Sequence, residues 1–177
     1  MIKNVMVYNQ QTMKLILSGR GKLSYNEWAL ITISEPGEGD LIKDCEDCKK
    51  LARQNCYEHL SLIFHDINSE QRAALLSEDS NDRFIYFDKN MGQQILDFLN
   101  KIQGMRIEGL VVQCNAGISR SGAVGIFACR YYGLNETQFR ESNKYLAPNT
   151  LVYDTLVDLS GMREEYASWW DDFGKDN

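Results

Sequence analysis

The sequence is short of proline, of positive charge and of long apolar runs, and each shortage excludes something. Only two prolines, Pro36 and Pro148, occur among 177 residues, which leaves little room for low-complexity linkers. No apolar run approaches the roughly 20 residues that a membrane span requires. Met1–Leu17 lacks the continuous apolar stretch of a signal peptide, since Asn4, Asn9, Gln10 and Gln11 interrupt it. A cytoplasmic chain with no membrane partner is the expectation. Lys and Arg number 19 against 25 Asp and Glu, a net of −6. That balance disfavours a nucleic-acid partner, because the long-range field repels polyanions. Any anionic ligand must then be held by a local device. Five cysteines, an odd number, fit reduced thiols better than a complete disulfide framework.

What is present is an ordinary globular composition, 44% apolar and 25% charged. The length fits a single domain over 1–177, large enough to bury a core without disulfides. Lys3–Val7 is a short apolar strand candidate, and Gln10–Leu17 a short helix. Trp28–Ser34 (WALITIS) and Gly109–Gln113 (GLVVQ) are nearly continuous in apolar residues, as strands buried on both faces are. His59–Phe64 reads as another strand. Lys43–Asn55 reads as a polar helix, and Ser69–Leu76 as a helix capped by Ser69. Met91, Ile95, Phe98, Leu99 and Ile102 form a helical stripe behind a cap at Asp88. Gly122–Tyr132 is apolar almost all round, as a central buried helix is. Asn135 and Gln138 mark a further helix start. Val152, Leu156, Leu159, Met162 and Tyr166 give a last amphipathic helix before a frayed acidic tail, 171–177. Strands alternating with helices predict an α/β domain, its central, mostly parallel sheet of four to five strands flanked by helices.

The informative segment runs from Val111 to Gly122, VVQCNAGISRSG. A buried strand leads into Cys114, and a buried helix follows Arg120. Gly117 supplies backbone freedom between them. Such a strand–loop–helix turn directs its N–H groups inward around one anion, and the helix N-terminus adds partial positive charge. The loop amides of Asn115, Ala116, Gly117, Ile118, Ser119 and Arg120 are therefore the expected phosphate-binding groups. Arg120 adds a planar fork for two oxygens. The same dipoles favour the thiolate form of Cys114, the nucleophilic form of the side chain. Ser121 stands where a hydroxyl can donate to the sulfur as it leaves. An ester oxygen also needs a proton to depart. Asp66, at the carboxyl end of a predicted strand, is the first candidate acid; Asp82, in a polar loop 32 residues before Cys114, is the rival.

These residues resemble the signature loop, Cys-x5-Arg-Ser/Thr, of the cysteine-dependent protein tyrosine phosphatases. The chain is most similar to their compact dual-specificity-like branch and to small bacterial and phage proteins of that type. The segments ITISEPG (31–37), LIFHDI (62–67) and APNTL (147–151) carry the likeness further, over roughly residues 28–160. The resemblance implies Cys114 as nucleophile, Arg120 as phosphate clamp and Ser121 as leaving-sulfur donor. It also implies a phosphorylated protein or peptide as substrate and no cofactor or metal. Two features depart from it. Gln113 stands where the family usually has His, and no Trp-Pro-Asp segment is present. Gln113 is expected to orient the loop by hydrogen bonding without carrying charge.

Other readings compete. A catalytically silent phosphopeptide-binding module would use the same loop. Arsenate reduction would need a resolving thiol near Cys114, whereas Cys129 lies on the buried helix. Cys45, Cys48, Cys56 and His59 have spacings that zinc could use, but a polar helix with incidental cysteines is the preferred reading. His65 is expected to be a packed side chain, and Trp169 and Trp170 to fold back onto the domain.

Overall fold

The two most apolar segments lie side by side as the middle strands of one sheet. The computed structural model describes residues 2–23, 27–42, 56–77 and 83–162. The strands are β1 (Asn4–Asn9), β2 (Trp28–Ser34), β3 (Cys56–Ile63) and β4 (Gly109–Cys114). Their spatial order is β1-β4-β2-β3, and every pairing is parallel. Every residue of β2 and β4 is buried, whereas edge strands β1 and β3 are only partly so. Sheet order thus explains why the central strands are apolar throughout and the edges alternate with polar residues.

Among the described residues six helices flank the sheet: α1 (Gln10–Leu17), α2 (Ser69–Ser77), α3 (Lys89–Gln103), α4 (Arg120–Tyr131), α5 (Glu136–Ser142) and α6 (Thr150–Ser160). One face carries α1, whose Met13 and Leu17 pack with Trp28, Leu30 and Val111. The opposite face carries the larger core, in which Ala29, Ile31, Leu110 and Val112 meet Leu99, Ile102, Val124 and Leu156. Helix α4 lies on β1 and β4, α3 reaches β3, and α6 bridges α3 and α4. None of the described helices is long and apolar enough to cross a membrane.

Local chemistry sets most helix ends. Asp88 accepts from the Met91 amide at 2.8 Å, and Asn135 accepts from the Gln138 amide at 3.0 Å, as N-caps do. The predicted cap at Ser69 is corrected to its neighbour: Asn68 Oδ1 accepts from the Gln71 amide at 2.9 Å, and Ser69 is the first helical residue. The last helix stops at Ser160, short of Tyr166, because Gly161 takes a left-handed conformation (φ 73°). The polar helix expected over 43–55, the loop holding Asp82, the two tryptophans at 169 and 170 and the tail 171–177 lie outside the described residues.

Core and surface positions on these helices separate clearly, so their truncations should too. Leu99→Ala, at a site of 0% exposure, is expected to cost about 2–5 kcal/mol. Leu15→Ala, at 45% exposure, is expected to stay within about 0.5 kcal/mol. Urea denaturation midpoints of the two variants check this, and equal losses would contradict the assigned core.

Candidate active site

An all-parallel sheet brings the carboxyl ends of its strands to one edge, and ligand sites in such sheets form there. Here β2 ends toward Glu35, β3 toward Phe64 and Asp66, and β4 at Cys114 itself. The loop from Cys114 to Arg120 then turns into α4. Its curvature depends on Gly117, which has φ +71°. A Cβ there would lie 2.6 Å from the backbone nitrogen of Asn9 and 2.8 Å from the carbonyl carbon of Tyr8. Glycine is required on both counts, since a side chain would be strained and would strike β1's backbone.

Cys114 and Arg120, the expected nucleophile and clamp, are brought together with Ser121 at the base of the loop. Cys114 is 1% exposed. Its Sγ lies 2.9 Å from Ser121 Oγ, and the Gly117 amide donates to the sulfur at 3.3 Å. A hydroxyl and a backbone N–H therefore face the sulfur, both able to support negative charge on it. The remaining loop residues lie at the surface: Asn115, Ala116 and Ile118 are exposed, and Gly117 and Ser119 partly so.

Arg120 is 2% exposed, and a buried guanidinium must be surrounded by acceptors. Its Nη1 donates to the Phe64 carbonyl at 2.9 Å, and its Nη2 lies 3.2 Å from Glu35 Oε1. Its Nε lies 3.8 Å from Asp66 Oδ2, beyond hydrogen-bond reach, and has no hydrogen-bond partner. A buried N–H donor without a hydrogen-bond partner therefore remains at the end of the loop.

Asp66, the favoured acid, is fixed from two sides. Its Oδ1 accepts from Ser119 Oγ at 2.7 Å and from Asn149 Nδ2 at 2.8 Å, leaving Oδ2 turned toward Arg120. Asn149 also caps α6 through the Val152 amide at 3.2 Å. The rival Asp82 falls outside the described residues. Reading the sequence for chemistry missed three contributors, Glu35, Glu38 and Asn149. Glu38 Oε1 accepts from Asn115 Nδ2 at 2.7 Å, so the turn after β2 grips the loop at two points. Pro36 and Gly37 marked that turn in the sequence, but nothing local tied its carboxylates to the loop.

Of the other expectations, that for Gln113 changes and those for His65 and Cys129 hold. Gln113 does not brace the loop from its side-chain oxygen: Oε1 is buried without a hydrogen-bond partner. Strand alternation turns Gln113 away from the face that Cys114 shares with Val112. His65 is a packed residue, accepting from the Ile85 amide at 3.0 Å and meeting Phe84 edge-on. Cys56 donates to the Glu58 carbonyl, and His59 pairs with Thr32. Burial pushes the Cys56 thiol up to about 12. No group of three or more metal-binding side chains occurs among the described residues; Cys45 and Cys48 lie outside them. Cys129 is buried, and its thiol is pushed up to about 11, chiefly by desolvation.

No protein-family model matches the sequence, and no curated protein matches it. Solved structures do match. The chain is similar to a human tyrosine phosphatase-like serine/threonine/tyrosine-interacting protein, with a TM-score of 0.52 and 18% identity over 89% of this chain and 91% of that one. It is also similar to Tk-PTP, solved in its active form, with a TM-score of 0.50 and 13% identity over 90% of this chain and 92% of that one. The α/β domain therefore has the tyrosine phosphatase-like fold. At these identities the likeness concerns architecture alone.

The close approach at Gly117 can be separated from its backbone conformation. Gly133 has φ +63° with open space around it, so Gly133→Ala is expected to cost only the left-handed strain, about 1–2 kcal/mol. Gly117→Ala must also displace β1's backbone and is expected to cost more than this by at least about 1 kcal/mol. Denaturant titration of both variants measures the difference; equal costs would contradict the packing of the loop on β1.

Proposed function

We propose that the chain is a cysteine-dependent phosphatase of the compact dual-specificity-like kind, hydrolysing phosphotyrosine and also phosphoserine or phosphothreonine monoesters in proteins. The observation that carries this reading is the buried pair of Cys114 and Arg120 at the two ends of one loop, with the Arg120 Nε lacking a partner. A phosphate dianion seated there would meet that N–H and the loop amides of residues 115–120. Fixed donors of this kind stabilise the charge on transferring phosphoryl oxygens without reorganisation.

In the first step the Cys114 thiolate attacks phosphorus, the S–P bond forms, and the ester P–O bond breaks. The departing oxygen takes a proton from Asp66 Oδ2, the carboxyl oxygen not engaged by Ser119 and Asn149. In the second step water attacks phosphorus and gives its proton to Asp66, while the S–P bond breaks. Ser121 Oγ, 2.9 Å from the sulfur, donates to the thiolate that leaves. No cofactor or metal enters either step.

A second reading is a phosphopeptide-binding module without turnover. One of the two structural neighbours is a tyrosine phosphatase-like interacting protein and the other a tyrosine phosphatase solved in its active form, so the fold is compatible with both readings. Glu35, seated on Arg120 at 3.2 Å, is a carboxylate that already occupies one nitrogen of the expected phosphate clamp.

Steady-state hydrolysis of aryl phosphates separates the readings. Wild type is expected to turn over and to be inhibited by vanadate, whereas Cys114→Ser loses turnover. Asp66→Asn is expected to lose about 10²–10⁴-fold in kcat, with a smaller loss on nitrophenyl than on phenyl phosphate, whose leaving group needs the proton more. Equal, slow phosphate release by wild type and Cys114→Ser would overturn the enzymatic reading.

A further inference from the structure

Two cavities run along β1. One, ≈ 470 Å³, is bounded by the outer side of the loop at Ala116–Ile118, by Tyr8, and by Tyr145 and Leu146 from the α5–α6 connection. The other, ≈ 290 Å³, is lined by every residue from Lys3 to Tyr8 and, opposite them, by Gln138 and Phe139 of α5. The cavities share Val7, Tyr8, Ser142 and Asn143, so they join into one groove that begins at the candidate phosphate loop.

Side chains along a strand alternate between faces. A cavity that touches five consecutive strand residues, Asn4 to Tyr8, therefore touches the backbone edge itself. Among the described residues no strand pairs with the outer edge of β1, whose only sheet partner is β4. Lys3, just before the strand, and Asn4, its first residue, both donate to the Glu108 carbonyl, and Gln10, just after the strand, donates to the Asn115 carbonyl; with Asn4 paired to Gly109, the even-numbered residues of β1 are the ones bonded to β4. By alternation the N–H and C=O groups of Val5 and Val7 face the groove. Opposite them stands Gln138, exposed and able both to donate and to accept. Asn135, which also lines the cavity, has its Oδ1 committed to the α5 cap. The end nearest the loop is apolar and aromatic instead: Ile118 is 37% exposed and Tyr145 88% exposed.

This combination selects a class of ligand. An unpaired strand edge faced by carboxamides matches the alternating donors and acceptors of a peptide backbone, the basis of recognition by strand addition. We propose that the groove binds the extended backbone of a phosphorylated peptide, added to the outer edge of β1 as a fifth strand. The residue next to the phosphorylated one packs against Tyr8, Ile118 and Tyr145. The proposal rests on phosphate occupying the loop between Cys114 and Arg120, and it makes the substrate a flexible polypeptide segment, not a small phosphate ester.

The test uses the full chain with Cys114→Ser, so that ligand is not consumed. Calorimetry compares free phosphotyrosine with a phosphotyrosyl peptide of about ten residues, long enough to cover a strand of ordinary length. The expected result is a peptide affinity about tenfold or more above that of phosphotyrosine. Hydrogen exchange should show new protection of the Val5 and Val7 amides. Gln138→Trp, a bulky side chain on the exposed face of α5, should bring the ratio of the two affinities close to one. A peptide that binds no more tightly than phosphotyrosine, protection that bypasses β1, or an unchanged ratio in Gln138→Trp would overturn the groove while leaving the phosphate site standing. Phosphotyrosine that fails to bind at all would overturn the phosphate site itself, and the groove with it.

Discussion

A buried guanidinium is the constraint on which the site is organised. Arg120 cannot carry its charge at 2% exposure unless acceptors surround it. Those acceptors come from two other strands: Glu35 beyond β2, and Phe64 and Asp66 beyond β3. Satisfying one side chain therefore draws three strand ends together. It also leaves one N–H of the fork without a partner. The arrangement is complete for folding and incomplete for hydrogen bonding, and an oxyanion is the kind of ligand that would finish it.

The sulfur is served by a different set of contacts. Ser121 and the Gly117 amide face Cys114 because the loop folds tightly over the end of β1. Asn149 ties the same region to α6, capping that helix with its oxygen while holding Asp66 with its nitrogen. The acid candidate is thus positioned by a helix cap formed 83 residues away in the chain. The proposed phosphate site is compatible with a net charge of −6 because its positive groups are few, fixed and enclosed. Net charge governs long-range encounter, whereas the enclosed dipoles govern the bound state.

The central strands and the loop were legible in the sequence because their signals are local. WALITIS and GLVVQC are apolar without interruption, as sheet-buried strands are, and Cys114, Gly117, Arg120 and Ser121 lie within eight consecutive residues. Edge strand β3 begins at Cys56, earlier than its apolar pattern indicates, because an edge tolerates polar residues such as Glu58. The cap of α2 falls on Asn68 and not on Ser69, since two adjacent residues had the same chemistry. Glu35, Glu38 and Asn149 were hidden for another reason. Their partners lie far along the chain, as with Glu38 and Asn115 at a separation of 77. Only the sheet order, with β4 inserted between β1 and β2, brings such pairs together. Gln113 shows the converse: adjacency to Cys114 in sequence places it on the other face of the sheet.

The central claim is that Cys114 forms a covalent bond to phosphorus, and acid-quenched intact-mass measurement during turnover of an aryl phosphate tests it most directly. The account predicts a single phosphoryl adduct that maps to the peptide containing Cys114 and is absent in Cys114→Ser. Saturable binding of the phosphate ester to the loop with no adduct, under conditions where wild type and Cys114→Ser behave alike, would contradict it.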